Sequence, residues 1–238
     1  MAEVKIDEYT LKARVFPSFL ALLPLGVFLG QFMDMRSALI GACSGLGGSA
    51  LFSFALSQWS RDAGKRRERD LWKRWGGPPT TRYLRHATAT DNPILKEQRR
   101  RKLNKLAPDL IFPTACAEAV NPQEADWQYE VATKVLIGKT RDRNQFEILF
   151  QENVAYGFRR NLWALKPFGV VFCVVGIIGS ILLKFAGYNL GYNMVAAALC
   201  ALSLLLWLVT INSDWVRSAA DIYADRLFAS VDNLDSFD

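Results

Sequence analysis

Four apolar windows with almost no charge constrain this chain more than any other feature of its sequence. They cover residues 15–32, 38–59, 167–186 and 193–211, and the one Lys or Arg, Asp or Glu inside them is Lys184. An α-helix needs roughly 20 apolar residues to cross the hydrocarbon core of a bilayer, and each window comes close to that length. The sequence therefore predicts four membrane-spanning helices.

The spacing of the windows predicts two helical hairpins. Only a few residues separate the first window from the second and the third from the fourth, and each connection contains or adjoins a single basic residue, Arg36 or Lys184. Residues 61–105 instead hold 15 basic and 5 acidic residues, a local charge of +10. Because loops rich in Lys and Arg stay on the cytoplasmic side, we expect the central segment and both termini to be cytoplasmic.

The central segment has the signals of a helical domain. Asn92-Pro93 and Asn121-Pro122 each place a capping side chain before a proline at the first helical position, and a third helix is predicted over residues 145–156. No run alternates with a period of two, so the fold class is all-α. The predicted divisions are a cytoplasmic N-terminal segment (1–14), a first transmembrane hairpin (15–59), a basic helical cytoplasmic domain (60–166), a second hairpin (167–211) and an acidic, amphipathic cytoplasmic tail helix (212–238).

Small residues recur at every fourth position of the second window, and a weaker series occurs in the third. This spacing lets helix backbones approach closely. It fits packing within one chain, packing between subunits, or a mildly polar stripe along a pore, and the sequence does not choose between them. The candidate helix-packing or pore residues are Gly41, Gly45, Ser49, Ser53, Gly176 and Ser180.

The basic residues of the central segment allow three interpretations: a site for phosphates, a surface that attracts anionic lipid, or a solvated surface. Guanidinium groups with aromatic rings nearby in sequence suit a nucleotide or a single-stranded oligonucleotide, since they offer charge neutralisation and stacking together. Lipid attraction explains basic residues beside a span better than those some forty residues away. The candidate phosphate ligands are Arg82, Arg85, Arg99, Arg100, Arg101, Lys102 and Lys105, with Trp72, Trp75 and Tyr83 as stacking candidates.

The sequence disfavours an enzyme. It contains one histidine, His86, four scattered cysteines, and no phosphate-binding glycine loop or zinc-protease motif. We therefore expect no catalytic residues, no metal and no cofactor. The apolar windows also lack the buried charges that mark proton relays, which argues against a coupled transporter.

Two strings carry a resemblance to a known family: residues 152–161, Glu-Asn-Val-Ala-Tyr-Gly-Phe-Arg-Arg-Asn, and residues 75–81, Trp-Gly-Gly-Pro-Pro-Thr-Thr. With the four-span layout, they resemble small bacterial membrane effectors of the Hailong type, which are encoded in anti-phage defence operons beside nucleotidyltransferase-like enzymes. The resemblance implies a homo-oligomeric ion channel in the cell inner membrane, with a tetramer as one arrangement. It also implies control by a nucleic-acid signal that the partner enzyme makes.

Two functions follow as expectations. The first is an oligomeric effector channel of antiviral defence, embedded in membrane lipid and controlled by a nucleotide or single-stranded oligonucleotide bound at the basic domain. The alternative is a non-conducting membrane adaptor whose basic domain docks anionic lipid or an acidic protein. Depolarisation of cells on expression would separate the two.

Overall fold

The computed structural model of the protein describes residues 7–32, 46–88, 92–188 and 193–234, with side chains from residue 54 onward in the second range. Every regular element in these ranges is helical and none of them contains a strand, which confirms the all-α prediction. The helices are α1 (Glu8–Phe32), α2 (Leu46–Trp75), α3 (Pro79–Leu84), α4 (Pro93–Leu106), α5 (Ala115–Val120), α6 (Pro122–Lys139), α7 (Glu147–Phe185), α8 (Asn193–Val209), α9 (Ser213–Ala229) and α10 (Val231–Leu234).

Local sequence signals set the ends of several helices. The Asn92 side chain accepts a hydrogen bond from the Ile94 amide at 2.9 Å and starts α4. Asn121 starts α6, accepting from the Glu124 amide at 3.3 Å while its own side-chain nitrogen donates to the Glu124 carboxylate at 2.9 Å. The end of α2 at Trp75 is followed by Gly76 and Gly77, both with positive φ, a conformation that glycine adopts without steric cost.

Helix α7 is longer than its sequence signals predict. Residues 147–156 of the predicted helix and 167–185 of the third apolar window belong to one 39-residue helix, which continues through Pro167. Proline removes one backbone donor and crowds the preceding turn, so a break there is the usual expectation. Residues 157–166 are therefore helical as well, and no loop separates the predicted helix from the third apolar window.

The described residues form two compact units. Unit 1 is drawn from Met1–Glu68 and Val154–Val216, and unit 2 from Arg69–Asn153 and Arg217–Asp238. Within the described ranges, α1 and α7 are long and apolar enough to cross a membrane. A third span results if α8 and the segment Ser213–Leu234, bent by 59°, count as one. The described ranges therefore contain two to three helices long and apolar enough to cross a membrane. Residues 38–45 of the second apolar window lie outside the described residues.

Close backbone approach in unit 1 involves the small residues of α7. A Cβ added at Gly176 would come within 2.6 Å of Cys200 Sγ in α8 and 3.4 Å of the Pro24 carbonyl oxygen in α1. Ser180 is buried and its hydroxyl accepts a hydrogen bond from Gln31 Nε2 at 2.8 Å. These two residues therefore pack against helices of the same chain. Gly41 and Gly45 lie outside the described residues, as do the side chains of Ser49 and Ser53.

A buried polar junction joins three helices of unit 1. Arg160 Nη1 donates to Glu68 Oε1 at 2.9 Å, and the Tyr156 hydroxyl donates to the same oxygen at 2.6 Å. Next to Arg160, the fully buried Asn161 donates from Nδ2 to the Ala13 carbonyl at 2.6 Å. Each polar group is paired, which is the condition under which such groups tolerate burial.

Unit 2 has one apolar core to which helices from both of its chain segments contribute. Leu84, Leu103 and Leu136, on α3, α4 and α6, are fully or almost fully buried, as is Leu227 on α9. Phe228 and Val231 from the same end of the chain belong to the same cluster. The structure divides the predicted tail helix (212–238) into α9 and α10, and Leu227, Phe228 and Val231 of these helices pack in the same core as Leu103 of α4.

Candidate functional site

The basic residues of α4 lie on different faces of the helix, because successive residues are about 100° apart. Arg99 and Arg100 are buried, whereas Arg101 and Lys105 are exposed. The run that appears uniform in sequence therefore divides into side chains that belong to the fold and side chains that are open to solvent.

Three of the candidate phosphate ligands pair with carboxylates near the C-terminal end of the chain. Arg99 forms an ion pair with Asp225, and its guanidinium lies 5.0 Å from the ring centre of Tyr83 and 5.4 Å from that of Phe228. Two similar pairs complete the set: Lys102 with Asp232, and Arg82 with Asp221 at 3.5 Å. Their role as phosphate ligands stays a prediction, and it would require displacement of these carboxylates.

Arg85 holds the segment between α3 and α4. Its guanidinium makes two hydrogen bonds to the Asp126 carboxylate, at 2.7 and 2.6 Å, and donates to the Gly76 carbonyl. The hydrogen bond with Asp126 is the main reason that the pKa of Arg85 is raised. Two-point pairing of this kind fixes geometry as well as charge.

None of the three stacking candidates is an exposed side chain. Trp75 is buried, Trp72 is half-buried, and Tyr83 is half-buried with Arg99 over its face and Phe228 at its edge. Trp72 Nε1 is itself buried and has no hydrogen-bond acceptor among the described residues. Of the three rings, Tyr83 packs against the apolar core of unit 2.

A cleft of about 520 Å³ opens beside α4, and both Arg100 and Arg101 line it. Arg100 Nη1 donates to the Leu84 carbonyl at 2.8 Å, and the Glu97 carboxylate lies 3.5 Å from Arg100 Nη2 and 3.1 Å from Arg101 Nε. A volume of 300–1,000 Å³ is typical of small-ligand sites. The residues that line the cleft include His86, Glu97, Arg100, Arg101, Asn104 and Phe112.

The cleft brings together only two of the predicted site residues, Arg100 and Arg101. Sequence reasoning missed Asn104 and Phe112, because neither belongs to a charged or motif-like pattern. Glu97 did carry a signal: it stands three residues before Arg100 and four before Arg101, the two spacings at which helical side chains meet. Among the described residues, no group of three His, Cys, Asp or Glu side chains is placed to hold a metal ion.

Glu118 fixes the chain at the edge of the cleft. Its buried carboxylate accepts hydrogen bonds from the amides of His86 and Ala87, both at 2.9 Å, and from the Tyr129 hydroxyl at 2.7 Å. Burial by itself raises the pKa of Glu118, but these hydrogen bonds outweigh it and the pKa lies below its usual value. Burial and the bond to Glu118 raise the pKa of Tyr129, which keeps its hydroxyl a donor. The His86 ring nitrogen Nε2 then lies 3.1 Å from the Pro113 carbonyl.

We expect acid to weaken the protein through Glu118. Because the pKa of Glu118 is lower in the folded state than the ordinary value of about 4.3, the unfolded state binds the proton more readily. The stability that Glu118 contributes is therefore present above about pH 4.3 and lost as the pH falls through the folded-state pKa. Thermal midpoints of the purified protein in detergent over roughly pH 3 to 7 would measure it.

The matching variant is Glu118→Gln, which keeps the shape and removes the titration. It should unfold at a lower temperature than the wild type at neutral pH and show a flatter pH dependence below about pH 4.3. If the variant lost stability in acid as steeply as the wild type, carboxylates other than Glu118 would be responsible for the acid sensitivity.

Comparison of the chain with protein families, with curated proteins and with solved structures finds no match.

Proposed function

We propose that this protein is a homo-oligomeric channel of the cell inner membrane that acts as an antiviral effector and is controlled by an oligonucleotide bound at its basic helical unit. In this proposal the chain crosses the membrane four times, and both termini and the central segment are cytoplasmic. The operon partner would be a nucleotidyltransferase-like enzyme that makes the signal. The observation that carries the proposal is the arginine-lined cleft of unit 2, in a chain whose helices α1 and α7 are long and apolar enough to span a bilayer.

Charge and chemistry support this interpretation. Residues 61–105 carry a net +10, which attracts a polyanion at long range. Arg101 presents a guanidinium with 76 % of its side chain exposed, and Lys105 is exposed one turn further along α4. The resemblance to Hailong-type effectors adds the membrane channel and the nucleic-acid signal.

The cellular test is induced expression of the full chain in bacteria loaded with a voltage-sensitive dye. A channel should collapse the membrane potential within minutes, and the purified protein in liposomes should pass ions at a rate that a bound oligonucleotide changes. An unchanged membrane potential and no ion flux would contradict the channel and favour the alternative, a non-conducting membrane adaptor.

The binding test uses the full-length protein in neutral detergent and a fluorescent single-stranded oligonucleotide. Affinity should fall with salt at a log–log slope of about −0.7 for each phosphate neutralised. We expect Arg101→Gln to flatten the slope by about 0.7, and Arg99→Gln to change it little because Arg99 is already paired with Asp225. Failure of the wild-type protein to bind at low salt would contradict control by an oligonucleotide.

A further inference from the structure

We propose that the cleft beside α4 binds one nucleotide unit, a nucleobase that carries a phosphate group, and that Glu97 occupies the phosphate position until the ligand displaces it. This proposal rests on the proposed function in one respect only, namely that the signal is a nucleotide or an oligonucleotide. The unit could arrive as a free mononucleotide or as the terminal residue of an oligonucleotide.

The first support is the state of Arg100. Only 9 % of its side chain is exposed, yet its Nε has no acceptor among the described residues. An unsatisfied buried donor costs roughly 1–3 kcal/mol, more when it is charged. Its guanidinium donates to the Leu84 carbonyl at 2.8 Å, also interacts with the Tyr129 hydroxyl, and has the Glu97 carboxylate at 3.5 Å. This arginine is held in place by the fold but its donors are incompletely used.

The second support is the position of Glu97 between two arginines. One carboxylate oxygen faces Arg101 and the other faces Arg100. A phosphate group has more charge and three oxygens to offer, so it satisfies two guanidinium groups better than a single carboxylate does. Glu97 is about half exposed, and it can therefore turn into solvent when a phosphate takes its place.

The third support is the set of apolar side chains that line the same cleft as the arginines. One face of Phe112 stacks on the buried Tyr129 with ring centres 5.9 Å apart and planes 30° apart. Ile111, beside it, is 83 % exposed at the cleft. Asn104 lies on the α4 side, where its amide offers both a donor and an acceptor to the edge of a base. Guanidinium groups and apolar side chains in one cleft match a nucleotide better than a bare phosphate.

The size of the cleft limits the ligand. About 520 Å³ suits a small molecule of nucleotide size. A longer oligonucleotide would enter with one unit only and would leave the rest of its chain over the exposed Arg101 and Lys105.

The experiment measures binding of the four nucleoside 5′-monophosphates, inorganic phosphate and a short 5′-phosphorylated oligonucleotide to the full-length protein in neutral detergent. Glu97→Gln should tighten binding of at least one monophosphate several-fold, because the competing charge is gone. Arg101→Gln should weaken it by about tenfold or more. The control is Glu130→Gln, which removes the same charge from an exposed (i, i+4) pair with Lys134 on α6 and should leave the affinity unchanged.

The outcomes separate this inference from the proposed function. Tighter binding by Glu97→Gln with no change in Glu130→Gln supports the cleft, whatever the channel assay shows. An oligonucleotide that binds equally to the wild type and to Glu97→Gln and Arg101→Gln would overturn the cleft and leave oligonucleotide control intact. Inorganic phosphate that binds as tightly as the best monophosphate, or binding seen only with anionic vesicles, would overturn the nucleotide class.

Discussion

The Arg160→Gln variant should lose about 3 kcal/mol of folding free energy, a fall of about 6–12 °C in the thermal midpoint for a protein of this size. Arg160 and Glu68 are mostly buried, with 12 % and 13 % of their side chains exposed. Removing one member of a buried ion pair leaves the other charge without compensation, which typically costs 3–5 kcal/mol. Tyr156 still donates to Glu68 in the variant, and for this reason we place the loss at the low end of that range.

Two further variants make this result specific. Lys134→Gln breaks the exposed pair with Glu130, where 68 % and 54 % of the side chains are exposed, and should change stability by no more than about 0.5 kcal/mol. The double variant Glu68→Gln with Arg160→Gln should recover part of the loss, because no buried charge is left unpaired. If Arg160→Gln were as mild as Lys134→Gln, the junction would have to be more hydrated than its burial indicates.

Helix identity in this protein could be predicted from sequence because its signals are local. The starts of α4 and α6 depend on Asn-Pro pairs that contact residues two and three positions ahead, and both predictions are confirmed. The apolar windows follow from composition over about 20 residues. Continuity of α7 through Pro167 could not be predicted, because a proline in that position favours a break and only contacts elsewhere in the fold can override it.

The pairing of the basic residues could not be predicted because their partners are distant in sequence. Arg82, Arg99 and Lys102 meet carboxylates that are 139, 126 and 130 residues away. The sequence shows that the α4 region is basic and that the tail is acidic. Net charge does not indicate which of the seven candidate phosphate ligands pair with the tail. The local spacing from Glu97 to Arg100 and Arg101 was the one signal that pointed to the cleft.

The position of α9 has a direct consequence for those basic residues. Asp221 and Asp225 of this helix pair with Arg82 and Arg99, and Leu227 anchors the same helix in the core of unit 2. Loss of the anchor should therefore loosen the carboxylates from the guanidinium groups. We therefore expect a substitution of Leu227 to change both the stability of the protein and the pairing of these basic residues.

We expect Leu227→Ala to lower the stability of the protein by about 3 kcal/mol. Leu227 is fully buried among Leu84, Leu103 and Leu136, and Leu→Ala changes in such sites cost roughly 2–5 kcal/mol through lost burial and the cavity that remains. The matched control is Ile222→Ala on the same helix, where 43 % exposure predicts a loss below about 1 kcal/mol.

Thermal unfolding in detergent measures both variants of α9, and the salt-dependent oligonucleotide assay adds a second readout. Because loosening of α9 frees Arg82 and Arg99, Leu227→Ala should bind the oligonucleotide with a steeper salt slope than the wild type, below the unfolding temperature. Ile222→Ala should keep the wild-type slope. Equal stability of Leu227→Ala and Ile222→Ala would contradict the assignment of α9 to the core of unit 2. A Leu227→Ala variant that is destabilised but keeps the wild-type slope would show that the two ion pairs hold without the leucine anchor.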